Sequence, residues 1–531
     1  MEFFLIGRDV RPDAIPAKHA GSKAANLVRL ARIGLRVPPA FVLGTGVCES
    51  AATGDFSDEV KSAIRDGIAH IERAVDRRFG GSHRPLLVSV RSSPPVSMPG
   101  MLDTVLNIGF TEASAHGLLR STGNPYLVWD TSRRFAEAFA EIVRGCPSAP
   151  FVSVRERMLA DAGAASIADV DPIALRDGAR AAAALVETLS GSPLPADPYE
   201  QLESAIAAVF RSWMTPRAVE YRRRHRLDDS AGTAVIVQAM VLGNDRGVSG
   251  SGVGFTRNPA TGADELYVDF LPNAQGEDVV SGKQRLTAAR PLSELLPATF
   301  DELCRAKVLL EAAFGDMQDF EFTLQDGELF FLQSRSGKRT PWAALQIATD
   351  LVRSGIVTPA EALRQLDAYE IDAIRRVRLI PDTQSPVVAS AVAAGLGVAS
   401  GVIVLDAHRA AALAPTKPVI LVRENLTTDD FVGLAASEGL LTANGGRTSH
   451  AAVVARQLGK VCLVGCATLR IDEASRRCTV GSRTFAEGEA ITLDGDSGLV
   501  YAGFVQAVSE TPDDALAEIR QWRLAETPAL V

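Results

Sequence analysis

Two adjacent glycines followed by an apolar run, at residues 445–456, leave this stretch few conformations other than a tight turn into a helix. Thr448 or Ser449 can cap that helix, which places His450 in its first turn. Unpaired N–H groups and a partial positive charge at a helix start stabilise an attached phosphoryl group, and imidazole is a competent nucleophile for phosphorus. His450 is therefore a candidate phosphoryl carrier, although a histidine that merely packs or caps at a helix start is the commoner case.

The length and composition of the chain indicate a packed protein with more than one domain. Its 531 residues exceed the roughly 100–200 residues of a single domain. A hydrophobic share of 47% and a charged share of 22% are ordinary for a globular protein. The net charge of -9 argues against a nucleic-acid partner, because binding to the phosphate backbone needs clustered Lys and Arg.

Cysteine usage and hydropathy indicate a cytoplasmic location. The one close cysteine pair, Cys462 and Cys466, lacks the second pair that a zinc site needs, so reduced thiols are expected. The first residues lack the basic start, apolar stretch and cleavage site of a secretory signal. No segment approaches the roughly 20 consecutive apolar residues that span a bilayer, so no membrane partner is expected.

Four segments of the chain differ in their pattern. Residues 1–340 mix apolar strands with helices and predict an α+β or α/β domain of two lobes, with a lobe boundary at the Pro/Gly-rich stretch 191–198. Residues 341–382 favour helices and indicate a helical linker. In residues 383–505, glycine-punctuated apolar strands alternate with helices, which predicts a second α/β domain. Residues 506–531 indicate a charged helical tail that frays at its end.

Alternating polarity predicts a β-strand at residues 319–323. Asp319 and Glu321 fall on one face of this strand and two phenylalanines on the other, as a strand with one buried face requires. Carboxylate oxygens gathered on one face suit Mg²⁺, which usually lies between a few carboxylates and substrate phosphates.

The turn at residues 325–327 decides what the returning strand adds to that face. A three-residue loop with Gly327 in the left-handed conformation would place Gln333 and Arg335 on the face of Asp319 and Glu321. A two-residue Asp-Gly turn would place Gln333 on the aromatic face instead. An arginine beside the carboxylates suits the charge that develops on a transferred phosphoryl group.

The string GGRTSHAAVVARQLGK, at residues 445–460, closely resembles the phosphohistidine signature of the phosphoenolpyruvate-utilising enzymes. Its Thr-Ser-His form is similar to that of the pyruvate phosphate dikinase family in particular. The resemblance implies that His450 is the phosphoryl carrier.

Residues 87–109, LVSVRSSPPVSMPGMLDTVLNIG, resemble the loop of this family that covers the ATP phosphates. A strand end presents an arginine here, and Gly100 frees the backbone so that N–H groups of residues 101–104 can approach oxyanions. The resemblance implies nucleotide contacts at Arg91, Met101, Asp103 and Thr104.

Three more stretches extend the resemblance. GSKAANL at residues 21–27 is similar to the family's opening element, whose lysine reaches the nucleotide phosphates, and this implies Lys23. NPYLVWDTSRRF at residues 124–135 is similar to a segment whose second arginine contacts phosphate, and this implies Arg134. FLQSRSGKRT and the strand before it resemble the ATP-grasp metal strands. That resemblance implies Glu321 and Gln333 as Mg²⁺ ligands, Asp319 as their support and Arg335 as a phosphate ligand.

The nucleotide base is expected to lie at another strand. Residues 234–241 form an apolar strand, and the resemblance implies that Gln238 to Met240 are the adenine-binding hinge of an ATP-grasp domain. Glu277 would then bind the ribose or the amino group of the adenine.

The resemblance covers nearly all of residues 19–505 and implies the family's reaction. ATP is split between its α and β phosphates to give AMP and a pyrophosphorylated His450, phosphate removes the outer group as pyrophosphate, and the remaining phosphoryl group passes to pyruvate. Complete members continue into a pyruvate-binding (β/α) barrel of roughly 250 residues, whereas only 26 residues follow position 505 here (531 minus 505). We therefore expect a separate protein to supply the barrel. Transfer to a different small-molecule or protein acceptor remains an alternative. A third hypothesis is a non-catalytic nucleotide-binding module. The presence of the nucleophile His450 argues against it.

Overall fold

The chain divides into two compact units. Unit 1 comprises Met1–Ser249 and Thr323–Ser334, and unit 2 comprises Gly250–Phe322 and Arg335–Val531. Both units mix helices with β-sheets, which confirms the predicted α/β multidomain class. The computed structural model describes residues 2–7, 15–98, 100–164, 166–245, 247–280, 291–380, 385–446 and 449–526, without the side chains of Val280, Thr428, His450 and Gln457.

Unit 1 is centred on a five-stranded sheet. The strands of this part of the chain are β1 (Phe3–Ile6), β2 (Ala40–Leu43), β3 (Arg78–Phe79), β4 (Pro85–Leu86), β5 (Val88–Ser93), β6 (Thr104–Ile108) and β7 (Ala234–Ala239). The sheet has the order β1-β2-β7-β5-β6, and β7 pairs antiparallel with both β2 and β5. Every residue of β2 and β7 is buried, so the apolar strand predicted at 234–241 lies in the core of unit 1.

Nine helices surround this sheet in the described part of unit 1. They are α1 (Ala17–Arg32), α2 (Cys48–Ala51), α3 (Asp58–Val75), α4 (Glu112–Thr122), α5 (Pro125–Ala138), α6 (Ala149–Asp161), α7 (Pro172–Ser190), α8 (Pro198–Arg211) and α9 (Pro216–His225). Leu202, Ile206 and Phe210 of α8 are fully buried in the same core as the sheet. The stretch 191–198, where a lobe boundary is predicted, joins α7 to α8, and the chain changes unit at Ser249–Gly250.

A four-stranded sheet follows Ser249 in the chain, and its residues Thr323–Ser334 are counted with unit 1. Its elements are β8 (Gly250–Phe255), β9 (Tyr267–Pro272), α10 (Gly276–Val280), α11 (Leu292–Leu295), α12 (Pro297–Phe314), β10 (Gln318–Gln325) and β11 (Glu328–Ser336), with the strand order β11-β10-β8-β9. Gly252 and Gly254 of β8 lie under the rings of Phe322 and Phe320, where a Cβ atom would overlap the rings. The aromatic face predicted for the 319–323 strand is thus packed over glycines of its neighbour.

The remaining elements of unit 2 form a helical part and a larger sheet. In chain order they are α13 (Pro341–Arg353), α14 (Pro359–Leu366), β12 (Arg376–Leu379), β13 (Val387–Ser390), β14 (Val392–Gly395), β15 (Val398–Val404), α15 (Ala407–Leu413), β16 (Val419–Arg423), α16 (Phe431–Ala436), β17 (Gly439–Thr442), α17 (His450–Gln457), β18 (Val461–Val464), β19 (Arg470–Asp472), β20 (Arg477–Val480), β21 (Arg483–Ala486), β22 (Ala490–Asp494), β23 (Leu499–Ala502), β24 (Ala507–Glu510) and α18 (Asp513–Glu526).

Residues 387–502 form what we call the eight-stranded domain. Its main sheet has the order β13-β23-β22-β15-β16-β17-β18-β14, in which β15 to β18 are parallel neighbours and the others pair antiparallel. Strands β19 to β21 form a separate small sheet. The carboxyl ends of parallel strands lie at one edge of the sheet. Helix α17 follows β17 in the chain, so it starts at that edge.

Helices α13, α14 and α18 together with the pair β12–β24 form what we call the linker module. Ala515, Leu516, Ile519 and Trp522 of α18 share one apolar core with α13 and α14, and Arg376–Leu379 pairs antiparallel with Ala507–Glu510. The segments predicted as a separate linker and tail therefore pack together. No helix of the described residues is long and apolar enough to cross a bilayer.

Candidate active site

Lys23 lies on helix α1 just after the kink at Gly21, and its two neighbours are attached to the end of strand β5. The Ser22 N–H and hydroxyl donate to the Pro94 carbonyl at 2.9 and 3.1 Å. The N–H of Ala24 donates to the Ser93 hydroxyl at 3.2 Å. The residues on both sides of Lys23 are thereby fixed to the strand that also carries the predicted arginine.

This attachment requires a glycine at position 21. Gly21 has a φ of +77° and interrupts helix α1. A Cβ atom here would overlap the carbonyl group of Ser93. Glycine alone combines this backbone conformation with so close an approach.

Arg91 brings together residues that lie far apart in the sequence. One of its terminal nitrogens donates to Gln238 Oε1 at 3.3 Å and to the carbonyl of Leu332 at 2.8 Å. The other donates to Gln333 Oε1 at 3.1 Å. Thr104 stands opposite Arg91 in the pairing of β5 with β6. The planar guanidinium is therefore held in one orientation by acceptors from two other strands.

The backbone groups after Gly100 differ from the prediction. The N–H of Met101 donates to the carbonyl of Met98 at 3.2 Å. The N–H of Asp103 donates to the Ser212 hydroxyl at 3.2 Å, and its carboxylate pairs with Arg217. The expectation that these two N–H groups approach oxyanions is wrong for this conformation, because the turn and the nearby hydroxyl already use them.

Arg134 lies on α5 beside a buried carboxylate. Its Nε donates to Asp130 Oδ2 at 2.8 Å, Arg133 donates to Oδ1 at 2.7 Å, and Asn244 donates to Oδ2 at 3.1 Å. Burial would raise the pKa of Asp130, but the charges and hydrogen bonds of Arg134 and Arg133 outweigh it and hold the pKa well below its usual range. Asp130 thus remains charged and orients Arg134.

The predicted adenine hinge is partly engaged within unit 1. Gln238 contacts Arg91, and its amide nitrogen donates to the Pro38 carbonyl at 3.1 Å. The N–H of Met240 donates to the Leu87 carbonyl at 2.9 Å. An adenine contact at Met240 would therefore have to use its carbonyl or side chain.

Glu277 lies in the short helix α10 of unit 2, and its side chain is exposed. The neighbouring Asp278 has a local role, because its Oδ2 accepts a 2.9 Å hydrogen bond from the N–H of Gln275. Of the two acidic residues, Glu277 is the one whose exposure suits a ligand contact.

Asp319 and Arg335 of unit 2 form an ion pair, in which Arg335 Nε donates to Asp319 Oδ2 at 2.8 Å. Burial raises the pKa of Asp319, and the guanidinium of Arg335 opposes that shift without cancelling it. Glu321 lies two residues along the same strand and is half-buried. Asp319 and Arg335, which the sequence placed on one face only for a three-residue loop, are therefore in contact.

The turn between β10 and β11 has two residues. Asp326 and Gly327 both have positive φ, +50° and +80°, which is typical of a type I′ turn rather than a three-residue loop. The alternation argument that placed Gln333 with the carboxylates therefore fails. Gln333 and Ser334 are both buried, and Arg335 nevertheless contacts Asp319.

The donor atoms available for a metal are oxygen atoms. In the part of the chain that the structure describes, no group of three or more His, Cys, Asp or Glu side chains could hold a metal ion. The Glu321 carboxylate and the Gln333 amide oxygen are the hard ligands that Mg²⁺ prefers, and Mg²⁺ commonly completes its shell with water and substrate phosphates. Each of these two side chains is of the kind that suits Mg²⁺ arriving with a nucleotide.

His450 is the first residue of helix α17. The Ser449 hydroxyl accepts a 3.4 Å hydrogen bond from the N–H of Ala452 and caps the helix, which confirms one of the two predicted caps. The other predicted cap, Thr448, lies outside the described residues, and so does the side chain of His450. The backbone position is the one that a phosphoryl carrier needs.

Two positioning groups were missed from the sequence. Asp130 precedes Arg133 and Arg134 by three and four residues, a helical spacing that could have revealed the ion pairs. No sequence pattern around Ser93 indicates its role, because its contact with Ala24 joins parts of the chain that are distant in sequence.

Comparison with known families agrees with this geometry. The pyruvate phosphate dikinase AMP/ATP-binding domain matches residues 52–291, and the mobile domain of PEP-utilising enzymes matches residues 415–498. The chain thus combines a nucleotide-binding domain with a mobile domain of the phosphoenolpyruvate-utilising class.

The relatives of the chain are more specific, and they are pyruvate, phosphate dikinases. The chain is 39% identical over 520 residues to the pyruvate, phosphate dikinase of Rhizobium meliloti (strain 1021), which is 94% of this chain and 58% of the relative. It is 39% identical over 508 residues to that of Clostridium symbiosum, again 94% and 58%. It is 40% identical over 492 residues to the chloroplastic pyruvate, phosphate dikinase 1 of Zea mays, which is 91% of this chain and 51% of the relative. The chain spans between half and three fifths of the length of these curated relatives.

Proposed function

We propose that this chain transfers a phosphoryl group from ATP to His450 by a dikinase-type reaction. The observation that carries the proposal is the attachment of Ser22 and Ala24, on either side of Lys23, to the end of strand β5, which also bears Arg91. Two cations from distant parts of the sequence are thereby fixed at one strand. A polyphosphate is the substrate that such a pair suits best.

Each residue of the site has a proposed role. Lys23, Arg91 and Arg134 bind the ATP phosphates, and Arg335, oriented by Asp319, stabilises the charge on the transferred group. Gln238, Met240 and Glu277 contact the nucleoside. Glu321 and Gln333 hold Mg²⁺, which would supply neutralising charge on the phosphates.

The proposed chemistry proceeds in two displacements. An imidazole nitrogen of His450 attacks the β-phosphorus, the bond to the α–β bridging oxygen breaks, and AMP leaves with the electron pair. Inorganic phosphate then attacks the outer phosphorus of the pyrophosphoryl group and leaves as pyrophosphate. The remaining phosphohistidine lies at the N-terminus of α17, whose N–H groups favour the negative charge.

The names of the relatives suggest pyruvate as the final acceptor. We propose that this step uses a pyruvate-binding barrel on a separate protein. Transfer to another small molecule or to a protein is the competing possibility. The two are distinguished by whether pyruvate with a separately expressed barrel discharges the phosphoenzyme.

The test is labelling of the purified chain with Mg²⁺ and ATP that carries ³²P at the β position. We expect acid-labile, base-stable label on His450 together with release of AMP, and pyrophosphate once phosphate is added. The control is His450→Asn, which should take up no label. Equal labelling of this variant would exclude His450 as the carrier.

A further inference from the structure

Arg456, the penultimate residue of helix α17, is completely buried. One of its terminal nitrogens donates to the Ala394 carbonyl at 3.0 Å. Its Cζ atom lies 5.3 Å from the centroid of the Phe255 ring. Ala394 belongs to the eight-stranded domain and Phe255 ends strand β8, so a single side chain contacts both the eight-stranded domain and the sheet that contains β8.

A second contact joins the same two surfaces. The Tyr267 hydroxyl donates to the Ala393 carbonyl at 3.0 Å. The ring of Tyr267 also lies against Phe255, with centroids 6.3 Å apart. Strands β8 and β9 on one side and β14 on the other therefore meet around the guanidinium of Arg456.

Arg456 is a buried cation at this contact. Burial lowers the pKa of Arg456, and Tyr267, Cys462 and Asp319 oppose that shift through their charges. A guanidinium stays protonated in proteins, so a charged side chain is held between the two surfaces by the Ala394 carbonyl and the Phe255 ring.

We propose that Arg456 is a positioning residue, which holds the helix that begins at His450 against the sheet that carries Asp319. His450 is phosphorylated when the eight-stranded domain is docked in this way against the sheet that carries Asp319. This inference rests on the proposed function. Removing one partner of a buried, hydrogen-bonded charge contact should reduce the docked population by about 10-fold to 100-fold.

The experiment compares Arg456→Met and Tyr267→Phe with a control, Arg409→Met, whose arginine lies on α15 and is 49% exposed. Hydrogen exchange is measured on the peptide 267–272, and the rate of His450 labelling by ATP is measured in a single turnover. A loss of packing confined to the eight-stranded domain would not change exchange in β9.

We expect Arg456→Met to speed exchange in 267–272 and to slow labelling by about 10-fold to 100-fold. Tyr267→Phe should act in the same direction with a smaller effect, and it keeps the test decisive if Arg456→Met does not fold. Arg409→Met should change neither quantity. Unchanged exchange in both variants, or faster exchange with labelling at the normal rate, would overturn the inference. Absence of label on the unmodified chain would overturn the proposed function instead, while the exchange measurement would still decide whether Arg456 joins the domains.

Discussion

Arg335 donates its Nε–H to Asp319 across 2.8 Å, and Asp319 is only 3% exposed. The Asp319 carboxylate is buried and so is not a solvated surface charge. Its hydrogen bond orients the guanidinium of Arg335. A buried ion pair is a costly way to gain stability. Its presence here is better explained by the need to hold Arg335 in one direction.

Asp319→Asn should slow single-turnover labelling of His450 by about 10²-fold, because a preorganised charge contact at the transition state is lost. ATP affinity, measured by calorimetry, should change much less. The matched control is Asp264→Asn, which removes a carboxylate that is 61% exposed in the same unit. Labelling at the normal rate in Asp319→Asn would show that Arg335 needs no such support.

Gly21→Ala should weaken ATP binding at least 10-fold. The added methyl group overlaps the Ser93 carbonyl and should displace the adjacent part of helix α1, which carries Lys23. Gly34→Ala separates this effect from backbone strain. Gly34 has a φ of +87°, but a Cβ atom added there would have nothing within 4 Å, so the substitution should cost about 1–2 kcal/mol of stability and leave binding intact. Calorimetric titration and urea unfolding measure the two quantities, and equal binding by both variants would contradict the argument.

The stability of unit 1 should fall steeply in acid because of Asp130. Its pKa is depressed in the folded state, so its contribution is complete above the unfolded-chain value of about 3.9 and is lost as the pH falls toward the folded pKa. Urea unfolding between pH 7 and pH 2 should show a loss of roughly 2–4 kcal/mol from this group. Asp130→Asn should be less stable at pH 7 and flatter below pH 4, whereas Asp177→Asn, at a side chain 58% exposed, should follow the unmodified chain.

Ser449→Ala should destabilise the start of helix α17, because the Ala452 N–H loses its acceptor. The expected loss is about 1 kcal/mol, with slower labelling of the adjacent His450. Ser449→Asn keeps a side-chain oxygen at the cap and should restore most of both quantities. If the alanine and asparagine variants label equally fast, the cap does not position His450.

The parts of the site that sequence predicted well depend on local interactions. The start of α17 and the buried strand β7 follow from caps, glycines and apolar runs within a few residues. The proximity of Arg335 to Asp319 was expected only for a three-residue loop. The turn at Asp326 and Gly327 has two residues, and the contact between the two side chains forms all the same.

The features that sequence did not predict depend on contacts between distant segments. The N–H of Asp103 is used by Ser212, which lies more than a hundred positions further along the chain, and no local pattern announces such a contact. The same holds for the attachment of Ala24 to Ser93 and for the packing of α18 on the linker helices. Long-range packing of this kind overrides what a loop sequence indicates by itself.

The antiparallel pairing of Arg376–Leu379 with Ala507–Glu510 limits how the eight-stranded domain can turn. The chain enters and leaves that domain through two strands that lie side by side, so the domain is tethered twice. A double tether resists torsion about either strand and leaves bending about a shared axis as the softest motion. The domain should therefore swing along one arc, whereas cutting the chain at position 506 would leave a single tether and let it rotate in every direction.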